Sequence, residues 1–111
     1  MNKLYSMLSL AKKAGALKFG EDNCEKAIKS GDAKLVFVAI DASNNTKKKF
    51  TNKCKFYGID VYIILSKQEI EAKTGMVNRS VVAVIDDGLA RVLAELCKTE
   101  TRCINDQKAG S

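Results

Sequence analysis

The 111-residue chain contains no histidine, no proline and no tryptophan. Without imidazole, Ser-His-Asp and Cys-His nucleophile systems, two-histidine zinc sites and HExxH proteases are all excluded. The four cysteines, Cys24, Cys54, Cys97 and Cys103, form no C-x-x-C pair, so a structural metal is not expected. Three of them fall on apolar helix faces, where a free thiol acts as a small hydrophobe. The longest unbroken apolar run, residues 35–40, is far shorter than the roughly 20 residues that cross a bilayer, and no membrane partner is expected. Residues 1–15 lack a continuous apolar segment and a small-residue cleavage site, so no secretory signal is expected and the predicted location is the cytoplasm. Gly15 and Gly20 bracket Ala-Leu-Lys-Phe, which is neither G-x-G-x-x-G nor a P-loop, so a glycine loop for nucleotide phosphates has no support.

What the chain does have is positive charge. Nineteen Lys and Arg stand against 13 Asp and Glu, a net charge of +6, and the pI is near 9.2. The excess is confined to the first half: residues 1–58 hold 12 basic and 5 acidic side chains (+7), residues 59–111 hold 7 and 8 (−1). Such asymmetry is the footprint of a polyanion-binding surface, with a solubilising lysine face as the competing explanation.

Leu4, Met7, Leu8, Ala11 and Ala14 recur at helical spacing, and Gly15 ends that helix. Gly31, Gly58 and Gly75 close further helix-period stretches. A second helix is predicted over residues 21–30 with Cys24, Ala27 and Ile28 inward, and a third over 44–57 with Phe50, Cys54 and Tyr57 inward. Ser66 followed by Glu69 forms a capping box that opens a fourth. A fifth follows Asp86-Asp87-Gly88, capped by Asp87, with Leu89, Val92, Leu93, Leu96 and Cys97 on its face. Continuous apolar runs at 35–40, 61–65 and 81–85, with a shorter one at 16–19, read as strands covered on both faces. The alternation predicts an α/β fold: a three-layer α/β/α sandwich around a four-stranded mixed sheet, one domain over residues 1–98, then a polar, disordered tail at 99–111.

Two constellations could carry function. Phe19-Gly20-Glu21-Asp22-Asn23 joins a strand to a helix, with Lys26 and Lys29 following. A helix N-terminus bears about half a positive charge and open N–H groups suited to phosphate or base edges. In the plainer reading Glu21 and Asp22 complement the dipole while the lysines are solvated. Lys47, Lys48 and Lys49, with Lys53 and Lys55, would add salt-sensitive attraction to phosphates. The rival is a Mg²⁺-dependent phosphotransfer enzyme using Asp41 and Asp86 at strand ends, where helix capping explains the same residues.

Several segments together resemble the kink-turn RNA-binding ribosomal-protein family of the L7Ae and L30e type, most closely its bacterial YlxQ-like branch. They are Leu-Ala-Lys-Lys-Ala-Gly at 10–15, Gly20 with Lys26, Ala-Lys-Leu-Val at 33–36, Asp-Ala-Ser-Asn-Asn-Thr-Lys-Lys-Lys at 41–49, the 54–58 helix exit, and Val-Val-Ala-Val-Ile-Asp-Asp-Gly at 81–88. The likeness spans roughly residues 3–97. It implies an α/β/α sandwich that reads structured RNA with the start of the second helix. Gly20 would let backbone approach the RNA, Asp22 and Asn23 would face base edges, and Lys26 would meet the same pairs or a phosphate, with Glu21 and Lys29 also counted among the RNA-binding residues. Asp41, Ala42, Ser43 and Lys47 would flank the bend on one side. On the other, Met76 and Val77 would pack on an extruded base, beside Asn78 and Arg79. Strong kink-turn binders resemble Gly-x-Asn-Glu or Gly-x-Lys-Gln at this helix start, whereas Gly-Glu-Asp-Asn here puts an acceptor-only carboxylate where they have donors.

The resemblance therefore implies a non-enzymatic RNA-binding protein without cofactor. Its expected partners are structured RNA, ribosomal RNA foremost, and the ribosome, with no DNA. A protein-interaction module of the translation machinery is the second alternative.

Overall fold

The structure, a computed structural model, describes residues 2–99. Helices and strands alternate as α1 (Asn2–Lys13), β1 (Leu17–Phe19), α2 (Glu21–Ser30), β2 (Leu35–Val38), α3 (Asn44–Tyr57), β3 (Asp60–Ile63), α4 (Lys67–Thr74), β4 (Val81–Val84) and α5 (Asp87–Lys98). The sheet order is β1-β4-β2-β3. Strand β4 runs antiparallel to both its neighbours, with Leu17 opposite Val84 and Val38 opposite Val81, while β2 and β3 are parallel.

Every residue of β2 and β4 is buried, which is why these two strands read as unbroken apolar runs rather than alternating ones. Helix α2 packs on β1 and β4, α3 on β2 and β3, and the two helices meet. Helix α1 packs against α4 and α5, and α5 reaches β4. The expected three-layer sandwich around a mixed sheet is therefore present. The edge strands are short, and β1 turns Lys18 to solvent, a charged guard against edge-to-edge pairing.

Helix ends follow the sequence closely. Gly15, Gly31, Gly58 and Gly75 all take positive φ at helix exits. The capping box of α4 is complete: Glu69 N–H donates to Ser66 Oγ at 3.0 Å, and Ser66 N–H to Glu69 Oε1 at 2.8 Å.

Three expectations need correction. Asp86, not Asp87, caps α5, accepting the Leu89 N–H at 2.8 Å. Val92 is 44% exposed, because the buried stripe of α5 runs through Ala90, Leu93 and Cys97. Tyr57 is not inward but 43% exposed, because the buried stripe of α3 follows Thr46, Phe50 and Cys54 and leaves the last turn beside it. Beyond Thr99, the tail expected at 99–111 lies outside the described residues, as does Cys103.

Candidate nucleic-acid interface

With β4 inserted antiparallel between β1 and β2, the exits of β1 and β2 and the approach to β4 lie at one end of the sheet. Gly20 N–H donates to Val81 O at 3.2 Å and Ala39 N–H donates to Ser80 O at 2.8 Å. These bonds pin the loop at residues 76–80 between the head of α2 and the turn into α3.

Gly20 sits at φ 91°, ψ 156°, a region open essentially to glycine alone. A Cβ at this position would lie 3.3 Å from Arg79 Nη1, so the Arg79 guanidinium lies across the bare Cα. No side chain caps the head of α2, and Arg79 Nε is buried without a hydrogen-bond partner. Two sources of positive charge, a helix N-terminus and a guanidinium, thus adjoin. An unsatisfied buried donor costs about 1–3 kcal/mol. An anion or a base acceptor arriving here would offset both penalties at once.

The neighbouring side chains divide into framework and free surface. Glu21 accepts from Thr46 Oγ1 at 3.2 Å and from Lys49 Nζ at 3.3 Å, tying α2 to α3. Glu25 adds Lys49 at 2.6 Å and Lys53 at 3.6 Å. The hydrogen bond from Lys49 holds the Glu25 carboxyl below the usual carboxylate range. Ser43 caps α3 through the Thr46 N–H at 3.1 Å, and its hydroxyl donates to Thr46 Oγ1 at 2.9 Å. Ala42 is buried. Asp41 accepts the Lys67 N–H at 3.0 Å, a cap for α4.

Asp22, Asn23 and Lys26 are exposed. Asn23 Nδ2 donates to Phe19 O at 3.1 Å, and Lys26 shares a groove of about 230 Å³ with Lys18, Asn23 and Ser30. Lys47 is half-buried at the start of α3. Val77 is 65% exposed beside half-buried Met76. Asn78 takes a left-handed φ of 56° and turns the loop so that Arg79 points back to Gly20. Lys29 is not part of this cluster. It lies in the last turn of α2, about 12 Å along the axis from the helix head. Lys49 and Lys53, read from sequence as phosphate-attracting, are engaged by Glu21 and Glu25.

Sequence reasoning missed the Ser43–Thr46–Glu21 chain, which a buried threonine in a polar stretch does not announce, and the contact of Arg79 with Gly20. Cys24 lies one turn into α2. A helix start usually lowers a thiol's pKa, yet burial pushes this one up to about 12, so the thiol does not ionise against the head.

The Mg²⁺ reading fails on topology. Because β4 opposes β2, Asp41 after β2 and Asp86 after β4 lie at opposite ends of the sheet, separated by about 10 Å of strand alone. Each caps a different helix, and they cannot share one ion.

Comparison with known proteins gives a consistent picture. The model of the ribosomal protein L7Ae/L30e/S12e/Gadd45 family matches residues 2–94. The RNA-binding protein YlxQ of Enterococcus faecium is 38% identical over 94 residues, covering 85% of this chain and 90% of the relative. YlxQ of Bacillus subtilis is 39% identical over 92 residues, covering 83% and 92%. A solved protein of unknown function from Bacillus halodurans superposes with a TM-score of 0.82 at 38% identity, covering 85% of this chain and 95% of that one. The 15.5 kD RNA-binding protein of Giardia lamblia superposes at 0.71 with 24% identity, over 84% and 80%. That last likeness concerns the fold alone.

Proposed function

The chain belongs to the ribosomal protein L7Ae/L30e/S12e/Gadd45 family, and from that premise we propose that it binds structured, kink-turn-like RNA through the head of α2 and its flanking loops. The observation that carries this reading is the open α2 head with Arg79 laid across Gly20. An uncapped helix start, a guanidinium with a buried unpartnered donor and an exposed Val77 form one surface. That surface supplies donors for phosphate or purine edges and an apolar place for a splayed base. Two relatives covering most of the chain carry the name RNA-binding protein, which supports the same conclusion.

The action we assign is non-enzymatic: recognition by shape and charge, in the cytoplasm, with ribosomal RNA or the ribosome as partner. Asp22 shapes the specificity. As an acceptor it suits the N–H edge of guanine and is disfavoured beside phosphate.

Binding is tested by fluorescence anisotropy with a kink-turn hairpin, the same hairpin with its sheared G·A pairs replaced by Watson–Crick pairs, and a continuous duplex. The reading expects the kink-turn to bind most tightly at moderate salt. Equal affinity for all three would reduce the protein to a general polyanion binder, and no binding even in dilute buffer would remove the RNA reading altogether.

A further inference from the structure

Helix α3 carries five lysines and no acidic residue. Lys49 and Lys53 are neutralised by Glu21 and Glu25 across the α2–α3 contact, but Lys47, Lys48 and Lys55 have no ion-pair partner among the described residues. The outer face of the helix ends in an aromatic pair. Phe56 is 80% exposed, and its ring meets that of Tyr57 edge-on at a centroid distance of 5.0 Å. Together with Lys49, Asn52 and Lys53 these rings line an open groove of about 450 Å³.

We propose that this face of α3 is a second RNA contact, which takes a single-stranded segment leaving the structured site and stacks one of its bases on Phe56. The inference rests on the RNA reading above and deepens it. Three observations select a nucleic-acid strand as the occupant. The start of α3, capped by Ser43, is tied to the α2 head through the buried Thr46 and Glu21, so the exposed face of the helix leads away from the first site. On the same side as Phe56 it offers the exposed Lys48 and Lys55, unpaired among the described residues and two turns or about 10 Å apart, as cations for a phosphate backbone. At its far end it offers an aromatic face beside an amide, Asn52, that can both donate to and accept from a base edge. Lysines along a path with an aromatic platform are how single strands are held without sequence preference. An apolar protein partner would bury Phe56 but leave Lys48 and Lys55 unanswered.

The experiment compares two RNAs with the full chain: a compact kink-turn hairpin, and the same hairpin carrying a single-stranded extension of about ten nucleotides, placed at either end in turn. Wild-type protein should bind one extended RNA more tightly than the compact one. Phe56→Ala should remove that gain, weakening the extended RNA about fivefold or more, and leave the compact RNA unchanged. Because the chain has no tryptophan, Phe56→Trp creates a single reporter, whose fluorescence the extended RNA should quench while the affinity gain is kept. If the compact hairpin binds but neither extension adds affinity, or Phe56→Ala leaves the gain intact, the second contact is overturned and the first site stands. If wild-type protein binds neither RNA, the RNA reading itself falls and takes this inference with it.

Discussion

The heads of α2 and α4 lie at the same end of the sheet, and they are finished in opposite ways. At α4 every device for closing a helix start is in use: the Ser66–Glu69 box satisfies two donors, and the Asp41 carboxylate takes the Lys67 N–H from across the molecule. At α2 there is a glycine in place of a capping side chain, Glu21 and Asp22 stand in the first turn, and the Arg79 guanidinium, a cation, is set beside the helix's positive end. Capping a helix is worth about 1 kcal/mol, and the same chain secures that gain at α3, α4 and α5. At α2 a glycine cap forgoes a few tenths of a kcal/mol of that gain, and an unpartnered arginine nitrogen is buried alongside, the features on which the proposed RNA site rests. The α4 head is built for stability.

Four substitutions test this contrast. Gly20→Val should have the largest effect: it forces a side chain into glycine-only backbone and onto Arg79, lowering stability by about 1–3 kcal/mol in urea unfolding and displacing both halves of the RNA surface. Its RNA affinity should fall furthest of the four. Arg79→Gln separates binding from folding. Kink-turn affinity should drop about ten- to a hundredfold, the worth of a charge-assisted hydrogen bond, with stability little changed, because the Gln amide puts another polar group where the unpartnered Nε stood. Ser66→Ala is the mirror image and should cost about 1 kcal/mol of stability while RNA titrations superimpose on wild type. Smallest is Lys48→Ala, seen only as a salt slope of binding flatter by about 0.7–0.9. The contrast collapses if Ser66→Ala weakens RNA binding as much as Arg79→Gln does.

Much of this architecture was legible in the sequence, and the unread parts share a cause. Helix bounds at 21–30 and 44–57 were plain, because Gly31 and Gly58 are local signals acting on their own neighbours. The interior strands were plain because burial on both faces leaves only apolar residues. The direction of β4 was not legible, since Val-Val-Ala-Val is equally apolar running either way, and from that ambiguity came the Asp41–Asp86 rival. Asp86 and Asp87 are both competent caps, and only the chain's path chooses between them. Tyr57 was misplaced because helical spacing from Phe50 and Cys54 cannot reveal where the sheet beneath a helix ends. At the candidate site Gly20, Asp22, Asn23 and Lys26 could be nominated from the strand-to-helix junction. The approach of Arg79 to Gly20 joins distant parts of the chain through the sheet order and leaves no local pattern to find.

A titration of ¹⁵N-labelled protein with kink-turn RNA, followed by NMR through the amides of Glu21, Asp22 and Asn23 and the Arg79 Nε–H, probes the α2 head directly. These resonances should move first and furthest, with the amides of Lys67 and Glu69 at the α4 head still. If the α4 head or α5 shifts while Gly20 and Arg79 stay silent, the α2 head is not where this protein meets RNA.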